Sequence, residues 1–151
     1  MEYAQPAPGE VFWDLGCGAG KPMVISSLAF PKLKACKGLE LLEQLTLLGK
    51  EVAARTDEAC SQLSQDHAPI EVHQGDILSF DWFDADIIYL SAVCFSEELL
   101  EQVTDLLQRV KAGTRILSLR PLGDRPYIEL YASVEVKMSW GGGRVFYHRT
   151  I

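Results

Sequence analysis

Residues Asp14–Gly20, with the sequence DLGCGAG, decide the fold of this chain. They overlap the end of an apolar run, Val11–Leu15, that predicts a buried first strand, and they precede a predicted helix from about Pro22 to Phe30. Proline favours a first helical position because its missing N–H would have no intrahelical partner there. Glycines between a strand and a helix allow a tight turn and a close approach of the backbone to a ligand. This arrangement predicts the start of an α/β fold.

Apolar runs alternate with helical patterns as far as Leu119, which predicts βαβ units and a mainly parallel, doubly wound, Rossmann-like sheet. Further parallel strands are predicted at Ala35–Leu39, Ile70–His73, Ala85–Leu90 and Arg115–Leu119. A second helix, continuing towards Leu63, has apolar residues at steps of three and four, which indicates one apolar face. That face is expected at Leu41, Leu45, Leu48 and Val52.

The third predicted helix has signals at both ends. Ser96 is a suitable N-cap, and the acidic side chains of Glu97 and Glu98 in the first turn interact favourably with the helix dipole. Lys111 and Gly113 mark the end. Its buried side chains are expected to be Leu99, Leu100, Val103, Leu106, Leu107 and Val110.

The pattern changes after the fifth strand. Residues 121–126 have turn composition, and Tyr127–Met138 then alternates like a strand, with Val134, Val136 and Met138 on one face. Gly141–Gly143 predicts a turn, and Arg144–Arg149 predicts the returning strand. The parallel sheet is therefore expected to finish in an antiparallel hairpin.

Length and composition restrict the class of protein. The chain has 151 residues, of which 48% are hydrophobic, and this is enough for a single domain over residues 1–151. The formal net charge of −7 disfavours direct nucleic-acid binding and is compatible with a basic protein substrate. No apolar window approaches the roughly 18 residues of a membrane helix, and no signal-peptide pattern is present. We expect a cytoplasmic or nuclear protein with no membrane partner, four reduced cysteines and no metal site.

The glycine spacing restricts the ligand. A dinucleotide fingerprint runs GxGxxG because a pyrophosphate sits on the helix N-terminus. Here Gly16, Gly18 and Gly20 run GxGxG, with Asp14 two residues before the first. A carboxylate at that place repels a pyrophosphate and attracts an ammonium. The pattern favours an amino acid joined to a nucleoside over a dinucleotide.

Two more acidic residues follow predicted strands. Glu40, next to Leu41, ends the second strand, where a carboxylate can accept hydrogen bonds from a ribose diol. Asp76 follows the third strand, where it can accept from the exocyclic amine of adenine while Ile77 packs on the ring. The alternatives are a helix N-terminal glutamate and a turn aspartate. All three acidic sites are expected at one edge of the sheet.

The loop after the fourth strand is expected beside the reacting group. Ser91 is a candidate ligand-binding residue, and Ser91 and Phe95 are the catalytic candidates. Phe95, Trp82 and Phe83 are candidates for shaping the pocket, although packing is the simpler role for each. No residue is identified as a required general base.

Four stretches carry a resemblance to a known family. They are Phe12–Gly16, Lys37–Glu40, Ala92–Phe95 and Ser139-Trp140. Together with the glycine loop and the terminal hairpin they resemble the class I S-adenosylmethionine-dependent methyltransferases. Within that superfamily the chain is most similar to the disruptor-of-telomeric-silencing (Dot-type) histone lysine methyltransferases. The resemblance covers residues 11–149, and Ser91-Ala92 stands where that family has a pair of asparagines.

The resemblance implies S-adenosylmethionine as cofactor and a protein lysine as methyl acceptor. That family has N-terminal elements that cover the cofactor, and only ten residues precede the first strand here. We therefore expect weak, partly exposed cofactor binding, with a homodimer or partner chain completing the lid. A non-catalytic cofactor-binding or partner module and a small-molecule methyltransferase remain open. The glycine spacing and the hairpin disfavour a nicotinamide-dependent oxidoreductase.

Overall fold

A mixed sheet forms the centre of the computed structural model, which describes residues 4–138 and 141–151. The strands are β1 (Val11–Leu15), β2 (Ala35–Glu40), β3 (Ile70–Gln74), β4 (Ile87–Leu90), β5 (Arg115–Ser118), β6 (Ile128–Met138) and β7 (Gly141–Thr150). The helices are α1 (Lys21–Ala29), α2 (Glu43–Leu63) and α3 (Glu97–Leu106), and a 3-10 turn at Leu107–Arg109 follows α3.

The strand order is β3-β2-β1-β4-β5-β7-β6, and the first five strands are parallel. Strand β7 runs antiparallel between β5 and β6, so the sheet ends in the expected hairpin. After β3 the chain crosses to the other side of β1 and places β4 there. In open α/β sheets, ligands bind at the carboxyl ends of the strands where the order reverses in this way. The predicted fold class is confirmed.

The helices cover both faces of the sheet. Met23 of α1 and Ala53 of α2 belong to the buried cluster on one face, together with Phe12 of β1. Val103 of α3 belongs to the cluster on the opposite face, together with Trp13. Phe12 and Trp13, neighbours in β1, therefore pack on opposite faces of the sheet, as the alternation of side chains along a strand requires.

The predicted apolar face of α2 is wrong. The buried residues of this helix are Thr46, Gly49, Ala53 and Cys60, whereas Leu41 and Leu48 are exposed and Leu45 and Val52 are partly buried. A Cβ at Gly49 would stand 3.2 Å from Val72 Cγ1 and 3.5 Å from the Gly18 carbonyl. Small residues face the sheet because the helix approaches β3 and the glycine loop too closely for leucines. Leu41 lies before the helix.

The third helix is shorter than its predicted apolar face. Leu100, Val103, Leu107 and Val110 are buried, and Leu99 and Leu106 are partly buried against the same core. Val110 follows the 3-10 turn. The predicted N-cap is confirmed, because the Ser96 hydroxyl accepts from Leu99 N–H at 3.1 Å.

Gly141–Gly143 does not form the predicted turn. These glycines belong to β7 and pair with Met138, Lys137 and Val136. The alternation of β6 is confirmed in its described side chains, with Val134 and Val136 half-buried and Glu135 exposed. Ser139-Trp140, part of the family resemblance, lies outside the described residues.

Other predictions concern cysteines, metals and membranes. All four cysteines are free, and Cys94 is exposed whereas the other three are buried. Within residues 4–138 and 141–151, no group of three or more potential metal ligands occurs. In the same ranges, no helix is long and apolar enough to cross a membrane.

Candidate functional site

The glycine loop after β1 adopts the conformation that its sequence requires. Gly16, Gly18 and Gly20 have φ angles of +81°, +54° and +87°, which disfavour residues with a Cβ. The N–H groups of Gly16 and Cys17 donate to the Leu39 carbonyl at 2.9 and 3.0 Å. The loop is thereby fixed to the carboxyl end of β2, which brings it beside Glu40.

Glu40 is buried and connects the loop to the next helix. One carboxylate oxygen accepts from Gly18 N–H at 2.8 Å, and the other accepts from Leu42 N–H at 3.0 Å. Leu42 is the N-cap residue of α2. Because each oxygen has two lone pairs and one such bond, the carboxylate retains the capacity to accept from a ligand.

Asp14 is a buried carboxyl group on the central strand. Its residue is 1% exposed, and Oδ2 has no hydrogen-bond partner among the described residues. Burial, with a smaller contribution from the nearby charge of Glu40, raises the pKa of Asp14 to about 8. A buried polar atom without a partner is costly. The group is therefore suited to a cationic ligand.

A cavity of about 580 Å³ lies beside Asp14 and the glycine loop. It is lined by Asp14, Gly16, Gly18 and Ser91 from the predicted set. Helix α1 contributes Lys21, Pro22, Ile25 and Ser26. The rest of the lining comes from Phe12, Cys17, Tyr89, Leu117, Leu119, Val136, Val145 and Tyr147. The cavity thus extends from the glycine loop across β4 and β5 to the hairpin.

Three further predicted residues do not line this cavity. Gly20 is the N-cap of α1, and a Cβ there would stand 2.6 Å from Met23 Cε, so a glycine is needed to pack the helix start, and a ligand role for it stays a prediction. Leu41 is 63% exposed beside Glu40. Glu40 itself accepts from the N–H of Gly18, which does line the cavity.

The residues after β3 also lie outside the cavity. Asp76 is exposed, and its Oδ1 accepts from Leu78 N–H at 2.9 Å. Its carbonyl accepts from Phe80 N–H at 2.8 Å. Ile77 is 9% exposed within the core on the α3 side. Asp76 therefore has the turn role considered as its alternative, and a ligand role for it stays a prediction.

The aromatic candidates differ in their surroundings. Trp82 is fully buried and its indole N–H donates to the Ile77 carbonyl at 2.9 Å, so it has the packing role considered as its alternative. Phe83 packs on Trp82 with ring centroids 4.6 Å apart, and the Arg109 guanidinium lies 3.8 Å from its ring centroid. The Phe95 ring lies 3.4 Å from the position that a Cβ on Gly16 would take. Only Phe95 is placed beside the glycine loop.

Comparison with models of known protein families assigns the chain to a family. The family model described as "Histone methylation protein DOT1" matches residues 2–141. The chain belongs to the DOT1 family. The resemblance predicted from the sequence is thereby confirmed.

Two curated DOT1 relatives cover most of the chain. Both are described as histone-lysine N-methyltransferases specific for H3 lysine-79. The Caenorhabditis elegans protein is 31% identical over 122 residues, which cover 77% of this chain and 13% of that protein. The Eremothecium gossypii protein is 27% identical over 167 residues, which cover 92% of this chain and 28% of that protein. The DOT1 chain therefore spans a minor part of the length of these relatives.

Solved structures share the fold of this DOT1 chain. TrmN from Thermus thermophilus has a TM-score of 0.79 at 21% identity, covering 99% of this chain and 46% of that one. The Bacillus subtilis M1A22 tRNA methyltransferase TrmK has a TM-score of 0.65 at 17% identity, covering 99% and 64%. MtNAS, in complex with MTA and tNA, has a TM-score of 0.70 at 15% identity, covering 99% and 56%. At these identities the similarity shows the class I methyltransferase fold alone.

Sequence reasoning missed two residues at or near the candidate site. Tyr89 lines the cavity. Burial and the charge of Asp14 raise the pKa of its hydroxyl, and a hydrogen bond with Ser91 partly offsets this rise. Tyr89 pairs with Asp14 across β4 and β1, and its place in the apolar run of β4 was a signal for this position. Arg120 contacts the loop after β4, and its sequence position gave no signal.

Proposed function

We propose that this DOT1-family chain is an S-adenosylmethionine-dependent methyltransferase domain that acts on a lysine side chain of a protein. The observation that carries the proposal is the pair of buried carboxyl groups, Asp14 and Glu40, at the ends of neighbouring strands beside a large cavity. Asp14 lies on β1, which borders the point where the strand order reverses, and Glu40 lies on the neighbouring strand β2.

The residues present fit this cofactor. The unpartnered Oδ2 of Asp14 suits the ammonium of the methionine part, directly or through water, because a nearby cation favours the ionised carboxylate that burial disfavours. Glu40 retains acceptor capacity for a ribose diol. Gly16 and Gly18 let the backbone approach the ligand closely. Asp76 and Ile77 are proposed to contact the adenine. Leu41 and Ser91 are proposed for further contacts with the cofactor.

The bound cofactor would supply an activated methyl group, so the chain's own residues have to bind and align the reactants. Asp14, Glu40 and the glycine loop hold one reactant. Ser91 and Phe95 lie in the loop that borders the other side of this region. A neutral lysine amine is required as the nucleophile, and a water-poor channel would favour it by lowering the amine pKa.

A histone is the favoured substrate. The curated relatives are named for lysine 79 of histone H3. The net charge of −7 suits a basic partner and disfavours direct contact with a nucleic acid. A nuclear location is proposed on the same basis.

The direct test has a binding part and a transfer part. Calorimetric titration with S-adenosylhomocysteine and with NAD compares the two cofactor classes, and we expect only the first to bind. Labelled methyl transfer is then measured on nucleosomes, free histone H3 and cell extract. We expect label on histone lysine in the wild-type chain and much less in Glu40→Ala at limiting cofactor, with Glu43→Ala as the matched control. Binding of NAD alone would contradict the proposal.

A second candidate is a non-catalytic cofactor-binding module. The observation that favours it is Ser91-Ala92, which replaces the asparagine pair of Dot-type enzymes. In that case S-adenosylhomocysteine binds and no protein in the extract becomes labelled. Label in the low-mass fraction of the extract would instead indicate a small-molecule methyltransferase.

A further inference from the structure

The segment 91–97, from the end of β4 to the first residue of α3, borders the cavity but has little backbone hydrogen bonding of its own. Phe95 N–H donates to the Ala92 carbonyl at 3.1 Å and closes a turn. Ala92 has a φ of +52°, an unfavourable conformation for a residue with a Cβ. The segment therefore needs support from elsewhere to keep this shape.

Arg120, which follows β5, provides that support. Its Nη1 group donates to the Phe95 carbonyl at 2.6 Å and to the Ala92 carbonyl at 3.2 Å. Its Nη2 group pairs with the Glu97 carboxylate. One guanidinium group thus contacts the turn and the first residue of α3.

The backbone of Arg120 is itself held in place. Its N–H donates to the Ser118 hydroxyl oxygen at 3.2 Å, and that hydroxyl donates to the Arg120 carbonyl at 2.6 Å. Ser118 is fully buried at the end of β5. The backbone from which the Arg120 side chain extends is therefore attached to the sheet, and its position does not depend on the segment that the guanidinium contacts.

The contacts lead directly to the glycine loop. The Phe95 carbonyl is bound by Arg120, and the Phe95 ring packs 3.4 Å from the Cβ position of Gly16. Ser91, at the start of the segment, lines the cavity together with Asp14. We propose that Arg120 is a positioning residue that fixes segment 91–97, and through Phe95 and Ser91 sets the shape of the cavity beside the glycine loop.

An arginine suits this task better than a lysine. The planar guanidinium directs several N–H groups at once towards two carbonyls and a carboxylate, whereas an ammonium on a flexible stem is a single point charge. Arg120→Lys should therefore restore part of the order that Arg120→Ala removes. The Glu97 side chain is 85% exposed, so Glu97→Gln should have a minor effect.

The first test uses hydrogen exchange on the unliganded chain and does not depend on the proposed function. Arg120→Ala should speed amide exchange in residues 93–97 on the order of tenfold or more, since local opening follows the lost contacts. Exchange in β1, β4 and β5 should remain slow. Arg125→Ala is the matched control, because Arg125 lies in the same connection but bonds Asp105 and the Asp124 carbonyl.

The second test rests on the proposed function. S-Adenosylhomocysteine affinity should fall roughly tenfold in Arg120→Ala, about the worth of one or two lost hydrogen bonds, and less in Arg120→Lys. Unchanged exchange in residues 93–97 overturns the proposal, and so does equal acceleration throughout the sheet. If Arg120→Ala does not fold, Arg120→Lys decides by the same two criteria. Faster local exchange in a chain that never binds S-adenosylhomocysteine would uphold the positioning role and refute the proposed function.

Discussion

Three acidic side chains stand at the ends of three adjacent parallel strands, yet their surroundings differ. Asp14 and Glu40, at β1 and β2, are buried beside the glycine loop. Asp76, after β3, is exposed and accepts a hydrogen bond within its own turn. The same position relative to a strand therefore gives two kinds of carboxyl group.

The difference bears on how strongly each group can hold a ligand. Electrostatic interactions are several times stronger in a protein interior than in water, and exposed pairs contribute little. Asp14 and Glu40 are therefore expected to dominate ligand binding, and Asp76 to add a small contribution. Each prediction below changes one member of this set against a matched control.

The largest effect is expected from Asp14→Asn on stability at alkaline pH. The pKa of Asp14 is raised from 3.8 to about 8, so the folded chain keeps a proton that the unfolded chain loses in this window. Since the folded state binds more protons, the free energy of unfolding should fall as pH rises from about 4 to 8, by at most about 1.4 kcal/mol per pH unit. Asp14→Asn should remove most of this decline.

The measurement is urea unfolding at pH 5, 6.5 and 8. Other groups near Asp14 are Glu40, Lys21, Tyr89 and Cys17, and the pKa values of the Tyr89 and Cys17 side chains are raised, so these two stay neutral through this window. Asp76→Asn is the control and should keep the wild-type slope, because its carboxyl group is exposed. Parallel pH profiles for wild type and Asp14→Asn would contradict the assignment of a raised pKa to Asp14.

Glu40→Ala is expected to weaken S-adenosylhomocysteine binding by about 1.5–3 kcal/mol, the usual worth of charged hydrogen bonds. Calorimetric titration checks this, and Glu43→Ala, in the first turn of α2, should bind as the wild type does. Since Glu40 accepts from Gly18 and Leu42 N–H groups, we also expect a loss of stability of roughly 1–3 kcal/mol. Wild-type affinity in the folded variant would refute the ribose assignment.

The sequence predicted the elements better than their contacts. Apolar runs such as Val11–Leu15 and the alternation of Tyr127–Met138 located strands, because these patterns depend on local burial. The buried face of α2 was missed, since the close approach at Gly49 depends on the height of the helix above β3. The extended conformation of Gly141–Gly143 depends on pairing with β6, which local glycine content does not reveal.

The candidate site shows the same division. The strand-end positions of Asp14, Glu40 and Asp76 followed from the order of strands and loops. The burial of Asp14 follows from its pairing between Gly38 of β2 and Tyr89 of β4, which only the assembled sheet defines. The contacts of Arg120 join loops that lie 23–28 residues apart in the chain, and no local pattern encodes them.

The smallest effect is expected from Asp76, and a double-mutant cycle isolates it. If Asp76 accepts from the adenine amine, S-adenosylhomocysteine should bind more tightly than S-inosylhomocysteine, which has a carbonyl in place of the amine. In Asp76→Ala this preference should shrink by about 1 kcal/mol or less, because an exposed hydrogen bond competes with water. Asp81→Ala is the control, since the exposed Asp81 also accepts from a backbone N–H two residues later. Loss of the Leu78 N–H bond should affect both ligands equally and cancel in the cycle. An unchanged preference in Asp76→Ala would leave Asp76 as a turn residue only, and ligand recognition would then rest on the ends of β1 and β2.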